Sequence, residues 1–136
     1  GRALWIEEFC DGDLAAIVGL GVFRPVFFNL AIGKPADYEA AKAGFKIVED
    51  PYLTYLEAQI GEHDWFAGDA FSIADIAVTV QVYNLSFVGF DLPAARFPKL
   101  AAHFARCAAR PSVAGLVADD KAFVAKAGLA LPKQAI

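Results

Sequence analysis

No methionine occurs anywhere in the 136 residues, not even at position 1. The chain is therefore expected to start at a processed or artificial cut, with an N-terminal neighbour removed. Two cysteines, Cys10 and Cys107, are too few for a disulfide framework and form no CxxC motif. Free, buried thiols in a reducing compartment are expected instead. Basic residues are outnumbered, 12 against 16 acidic ones, for a net charge of −4. With a net negative charge and no Lys/Arg run, nothing in the sequence argues for a nucleic-acid face or an anionic-membrane surface. The two histidines, His63 and His103, have no partner at zinc-ligand spacing, so no metal site is expected. Alternating apolar and polar runs are scarce, which argues against a sheet. No basic segment, apolar stretch and cleavage site open the chain as a signal peptide would. Repeats and low-complexity segments are absent. Gly19-Leu20-Gly21 follows no strand and lacks a third glycine, so it is not a dinucleotide loop. No nucleophile-elbow glycines surround Ser72.

What remains is apolar. Hydrophobic residues make up 57% of the chain, and mean hydropathy is +0.43. One domain spanning 1–136 can bury a real core at this length. Either the interior is generous or some apolar surface belongs against a missing partner. Ala, Leu, Glu and Lys recur at helical spacing, which predicts an all-α bundle of about five or six helices.

The first helix is predicted over 3–31. Its apolar run Leu14–Ile32 resembles a membrane span. Arg24, Pro25 and Asn29 interrupt it, however, and a charge near a bilayer centre costs ~2.5 kcal/mol or more. A long buried helix kinked at Pro25 is expected. A second helix is predicted over 36–60, with Phe45, Val48, Tyr52, Leu56 and Ile60 on one stripe, a break near Asp50-Pro51, and Gly61 as its stop. Phe97 to Ala109 forms another, with Pro98 in its first turn. A shorter helix runs from about Ser112 to Asp119, Lys121 to Ala127 adds a last turn or two, and Leu131 to Ile136 frays.

The most strongly specified helix start lies in Trp65-Phe66-Ala67-Gly68-Asp69-Ala70-Phe71-Ser72-Ile73-Ala74-Asp75. Ser72 is placed to accept from the Asp75 amide while the Asp75 carboxylate returns to the Ser72 amide, a capping box. Phe71 and Ile76 stand where a hydrophobic staple would form. The helix that follows is apolar nearly all round and should be central. Glu7, Glu8, Asp11 and Asp13 form an acidic cluster, read as a solvated face. Arg24 lies among apolar neighbours with no local partner; it either snorkels to the surface or faces a ligand or neighbouring domain. These residues define no self-contained active site.

Two ordered segments carry a resemblance. The first is Leu56-Glu57-Ala58-Gln59-Ile60-Gly61 through the capping-box stretch. The second is Phe97-Pro98-Lys99-Leu100, His103, Arg106, then Ala109-Arg110-Pro111-Ser112-Val113. Together they resemble the C-terminal helical domain of the glutathione transferase superfamily. The resemblance covers essentially the whole chain, more loosely in helix one. It implies a thioredoxin-like, glutathione-binding domain before Gly1, which would carry the activating Tyr, Ser or Cys. It leaves no catalytic residue on this chain. It also implies that helix one supplies a hydrophobic-substrate wall and part of a homodimer interface. Asp11-Gly12 is similar to an Asp-Gly pair whose aspartate reaches the γ-glutamyl group of glutathione in the neighbouring subunit. An aspartate suits an α-ammonium partner. By helical spacing Ala15, Val18 and Val22 would follow Asp11 on the cleft face and accept a hydrophobic electrophile. A His-Lys pair of some bacterial members is replaced here by Ala15 and Ala16, which departs from that subclass. Ser72 and Asp75 stay structural. The implied protein is a cytoplasmic detoxification transferase, with the isolated chain inactive. The alternative is a non-catalytic interaction scaffold on the same fold, and a related isomerase, reductase or dehalogenase is a third option.

Overall fold

The computed structural model describes residues 1–132; residues 133–136, part of the tail expected to fray, lie outside them. The first helical run is two segments, α1 (Arg2–Leu14) and α2 (Ile17–Ala31), whose axes differ by 48°. The bend falls at Ala15-Ala16, not at Pro25 as expected. Pro25 sits inside a stretch wound in π-type turns, Ile17–Phe28, and a shorter one covers Cys10–Leu14. The Pro25 carbonyl accepts from the Asp37 amide at 2.9 Å, which fixes the loop into the next helix.

The π winding sets which residues face inward. Ile6, Cys10, Leu14, Val18, Val22 and Val26 are all buried, one every four residues. In a pure α-helix each four-residue step turns a side chain by about 40°, so that row would drift roughly 200° over its length. Wider i→i+5 turns cancel the drift. The opposite row, Leu4, Glu8, Gly12, Ala16, Leu20, Arg24, Phe28 and Ile32, is exposed throughout. No single helix among the described residues is long and apolar enough to cross a membrane; the bent pair passes only by joint length and composition.

Helix α3 (Tyr38–Ile47) starts at Asp37, whose carboxylate accepts from the Ala40 amide at 2.9 Å. It packs closely on α2. After a π-wound Val48–Leu53, in which Asp50 leaves helical geometry ahead of Pro51, the chain continues as α4 (Thr54–Ile60). The expected break at Asp50-Pro51 is thus present. Gly61, at φ 56°, stops α4 in a region that favours glycine.

Helix α5 (Ile73–Phe87) passes through the centre, packed on α1, α2 and α6. Helix α6 (Pro98–Ala108) starts with a proline and has no cap from its own N-terminal side chain. Glu57, reaching over from α4, does that work: its oxygens accept from the Lys99 and Leu100 amides at 2.9 and 2.8 Å. Helix α7 (Pro111–Ala127) is one continuous helix ending at Gly128, φ 66°. The two pieces expected there merge because Asp119-Asp120-Lys121 contains no breaker, and the helix begins at Pro111 rather than Ser112. The described residues contain helices and turns but no strand, so the all-α expectation holds.

Candidate functional site

Helix one was expected to place Asp11, Ala15, Val18 and Val22 on a single cleft-facing side. The structure separates them. Asp11 is exposed and Ala15 half-buried. Val18 and Val22 are 1% and 0% exposed, inside the core, so they cannot wall a surface cleft. The cause is the four-residue winding. Counting by four from Asp11 gives Ala15, Gly19, Phe23 and Phe27, a lateral row that is half-buried beyond Asp11. Phe23 stacks on Phe87 with centroids 6.0 Å apart and meets Phe27 at a tilt, 5.0 Å away, so this row ends in an aromatic cluster. Cys10 lies on the inner row. Burial, with the charges of Asp11 and Glu7, pushes its thiol up to about 12, so it is no nucleophile at neutral pH. Arg24 is exposed on the outer row, its guanidinium 5.2 Å from the centre of the Phe28 ring.

The capping box is present. The Ser72 amide donates to Asp75 Oδ2 at 2.8 Å, and the Ser72 hydroxyl accepts from the Ala74 amide at 3.3 Å. Its carboxylate does more than cap, however. Asp75 Oδ1 accepts from the Phe66 amide at 3.0 Å and from His103 Nε2 at 2.8 Å. The Cys107 sulfur lies 3.5 Å from the same nitrogen. Asp75, His103 and Cys107 are all fully buried. Burial alone would raise the Asp75 carboxyl, but hydrogen bonds from His103, Phe66 and Ser72 outweigh it and hold it below its ordinary value. For His103 burial acts downward, and contact with Asp75 and Cys107 carries it upward.

This pairing is not read from the sequence, where His103 enters as a residue without zinc-ligand spacing and as part of the second resemblance segment. The available signal was position: His103 falls between Leu100 and Cys107 on the buried stripe of α6, where a polar side chain needs a partner. The Asp–His–Cys grouping is not arranged as a nucleophile relay, since Asp75 and Cys107 both approach Nε2 and none of the three reaches solvent. Among the described residues no group of three or more His, Cys, Asp or Glu side chains could hold a metal ion.

Outside these, an apolar groove of about 320 Å³ opens between α5 and α7, lined by Phe71, Ile76, Val80, Tyr83, Leu116 and Val117 among others. Phe71 and Ile76, the expected staple pair, form part of its wall. Tyr83 donates to Asp120 at 3.0 Å across it.

The site residues thus form a structural node at the start of α5 and a polar-to-aromatic row on helix one. The family model described as the glutathione S-transferase C-terminal domain matches residues 27–120. Glutathione S-transferase GstB of Escherichia coli K12 is 34% identical over 95 residues, covering 69% of this chain and 45% of its own. The chain therefore spans about half the length of the curated relatives it matches. A solved glutathione S-transferase from Rhodospirillum rubrum F11 superimposes with a TM-score of 0.72 at 23% identity, over 82% of this chain and 50% of that one, a likeness of fold. Another, from Methylobacterium radiotolerans in complex with glutathione sulfonate, gives 0.60 at 28% identity, over 84% and 51%.

Proposed function

The chain belongs to the glutathione S-transferase family by its C-terminal domain, and from that premise we propose that it is the helical half of a transferase joining glutathione to a hydrophobic electrophile. In this reading a thioredoxin-like domain binds most of the glutathione and activates its thiol. The whole protein is a cytoplasmic homodimer that detoxifies electrophiles, with helix one at the subunit contact.

The observation that carries the reading is the lateral row of helix one. It begins with the exposed carboxylate of Asp11, which makes no hydrogen bond or ion pair among the described residues, and passes through Ala15 and Gly19 to the Phe23 ring. A carboxylate followed along the helix by small and then aromatic side chains suits an elongated ligand with an ammonium group at one end and an apolar group at the other. Val18 and Val22 have no place in this wall. Ser72 and Asp75 act by holding the fold.

The test is calorimetric titration of glutathione into the full-length gene product and its Asp11→Ala variant. Loss of a charge-assisted hydrogen bond should weaken binding roughly tenfold or more. Unchanged binding in the variant removes Asp11 from the site. No binding by the wild-type protein overturns the enzyme reading in favour of the interaction scaffold. The 136-residue chain alone should show no turnover.

A further inference from the structure

Every oxygen contact of the Asp75 carboxylate comes from a donor: the Phe66 amide, the Ser72 amide and hydroxyl, and His103. Only His103 among them can carry a positive charge. Asp75 has no solvent exposure, and no lysine or arginine among the described residues contacts it. A buried carboxylate facing neutral partners alone is strongly unfavourable, so charge balance here depends on the imidazole.

The three donor residues come from three places in the fold. Ser72 starts α5, His103 lies midway along α6, and Phe66 belongs to the turn that links α4 to α5. The His103 ring also meets that turn edge-on, 4.9 Å from the Phe66 centroid and 6.2 Å from that of Trp65. Nε2 donates to Asp75, while Nδ1 has no hydrogen-bond partner. The proton that titrates therefore sits on Nδ1, and its loss breaks no hydrogen bond. What changes is the charge opposite Asp75.

We propose that Asp75 and His103 form a proton-controlled clasp, which holds the Trp65-Phe66 turn and α6 onto the start of α5 while the imidazole carries both its protons, and slackens when the Nδ1 proton leaves. The groups that face the ring are Asp75 from α5, Cys107 from α6 itself, and the Phe66 amide and two aromatic rings from the turn. The nearby cations act outside the pair. Arg106 lies over the Trp65 ring at 5.8 Å and bonds the Asp64 carbonyl at 2.9 Å. Arg2 bonds the Phe66 carbonyl at 2.5 Å. Arg106 keeps the turn near α6 and Arg2 keeps it near α1 after the clasp opens, so the change is local loosening rather than unfolding. Contact with Asp75 and Cys107 carries the imidazole above its ordinary 6.5. The clasp is therefore closed below that pH and opens as pH rises through the raised value.

The test uses the full chain. The His103 ring is followed by NMR from pH 5 to 9, with the exposed His63 as an internal reference. In parallel, Trp65 emission is recorded in a Trp5→Phe background, where Trp65 is the sole tryptophan. The expected result is a one-proton His103 titration centred above 6.5, with a Trp65 change at the same midpoint. His103→Gln, which retains an N–H donor but cannot titrate, should give Trp65 emission that is flat across the range. A His103 that titrates below 6.5, or Trp65 emission unmoved as His103 titrates, would overturn the proposal. Both of these readings come from folded protein that retains His103, so they stand even if the glutamine variant fails to fold.

Discussion

Gly44 of α3 rests directly on the backbone of Gly21 of α2. A Cβ on Gly44 would stand 2.6 Å from the Gly21 carbonyl carbon and 3.1 Å from its Cα. Pro25, four residues beyond Gly21, has no N–H to give that carbonyl, and the bare Gly44 Cα is what lets the two helices close over it. Gly44→Ala should therefore destabilise the chain by ~1–3 kcal/mol or more, because the obstacle is backbone and cannot rotate away. The reverse side is more tolerant: a Cβ on Gly21 would meet only Gly44 Cα, at 3.6 Å. Gly21→Ala should be neutral or slightly stabilising, helped by helix propensity. Urea denaturation of the two variants checks both, and equal losses would show that the contact is not directional.

The node at the start of α5 predicts unequal losses. Ser72→Ala removes a cap and should cost ~1 kcal/mol. Asp75→Ala also leaves His103 buried without its partner, and should cost ~3–5 kcal/mol. The comparison is made by thermal melting of each variant. A Ser72→Ala loss as large as that of Asp75→Ala would mean that the cap, not the buried pair, carries the node.

Stability should fall on both sides of a plateau. The Asp75 carboxyl is held below its ordinary 3.8. Its contribution is full above that pH and is lost as pH falls through the depressed folded value, where the unfolded chain binds the proton first. The His103 contribution is full below 6.5 and is lost as pH rises through its raised folded value. Urea midpoints from pH 2 to 9 in wild type and Asp75→Asn measure this. The variant should show a shallower acid limb, and an acid limb of unchanged slope would place the acid sensitivity on other carboxylates.

Neither thiol should react in the native protein. Cys10 and Cys107 are both free and without exposed surface. An aromatic disulfide reagent that reacts at pH 6, where the clasp is closed, should label them only at the rate at which the chain opens, and at once in concentrated urea. Rapid labelling of native protein would show a local opening at α1 or α6 that the packed structure does not contain.

The parts of the fold that were legible in the sequence are those where one residue has one consequence. Ser72 with Asp75 marked the start of α5, Pro98 the start of α6, Asp50-Pro51 the break after α3, and Gly61 the end of α4. Each acts within a turn of itself. Long-range partners were not legible. Glu57 caps α6 from 42 residues away, and His103 meets Asp75 across 28. Nothing local marks either, beyond a polar side chain on a buried stripe. Helix one was misread for a different reason. Counting at 3.6 residues per turn placed Val18 and Val22 beside Asp11, whereas π winding, which has no simple residue signature, turns them into the core.

Helix one behaves as a rod of square cross-section. Its inner side is sealed in the core and its outer side is bare, with two flanks between them. In such a rod, sequence length works as an angle. Inserting one residue near Leu14 would swing everything beyond it by a quarter turn, so that the row of Val18, Val22 and Val26 would leave the core for a flank. Inserting four would return each side to its place. Tolerance to insertion in this helix should therefore come in steps of four, whereas an ordinary α-helix would prefer an alternation of threes and fours.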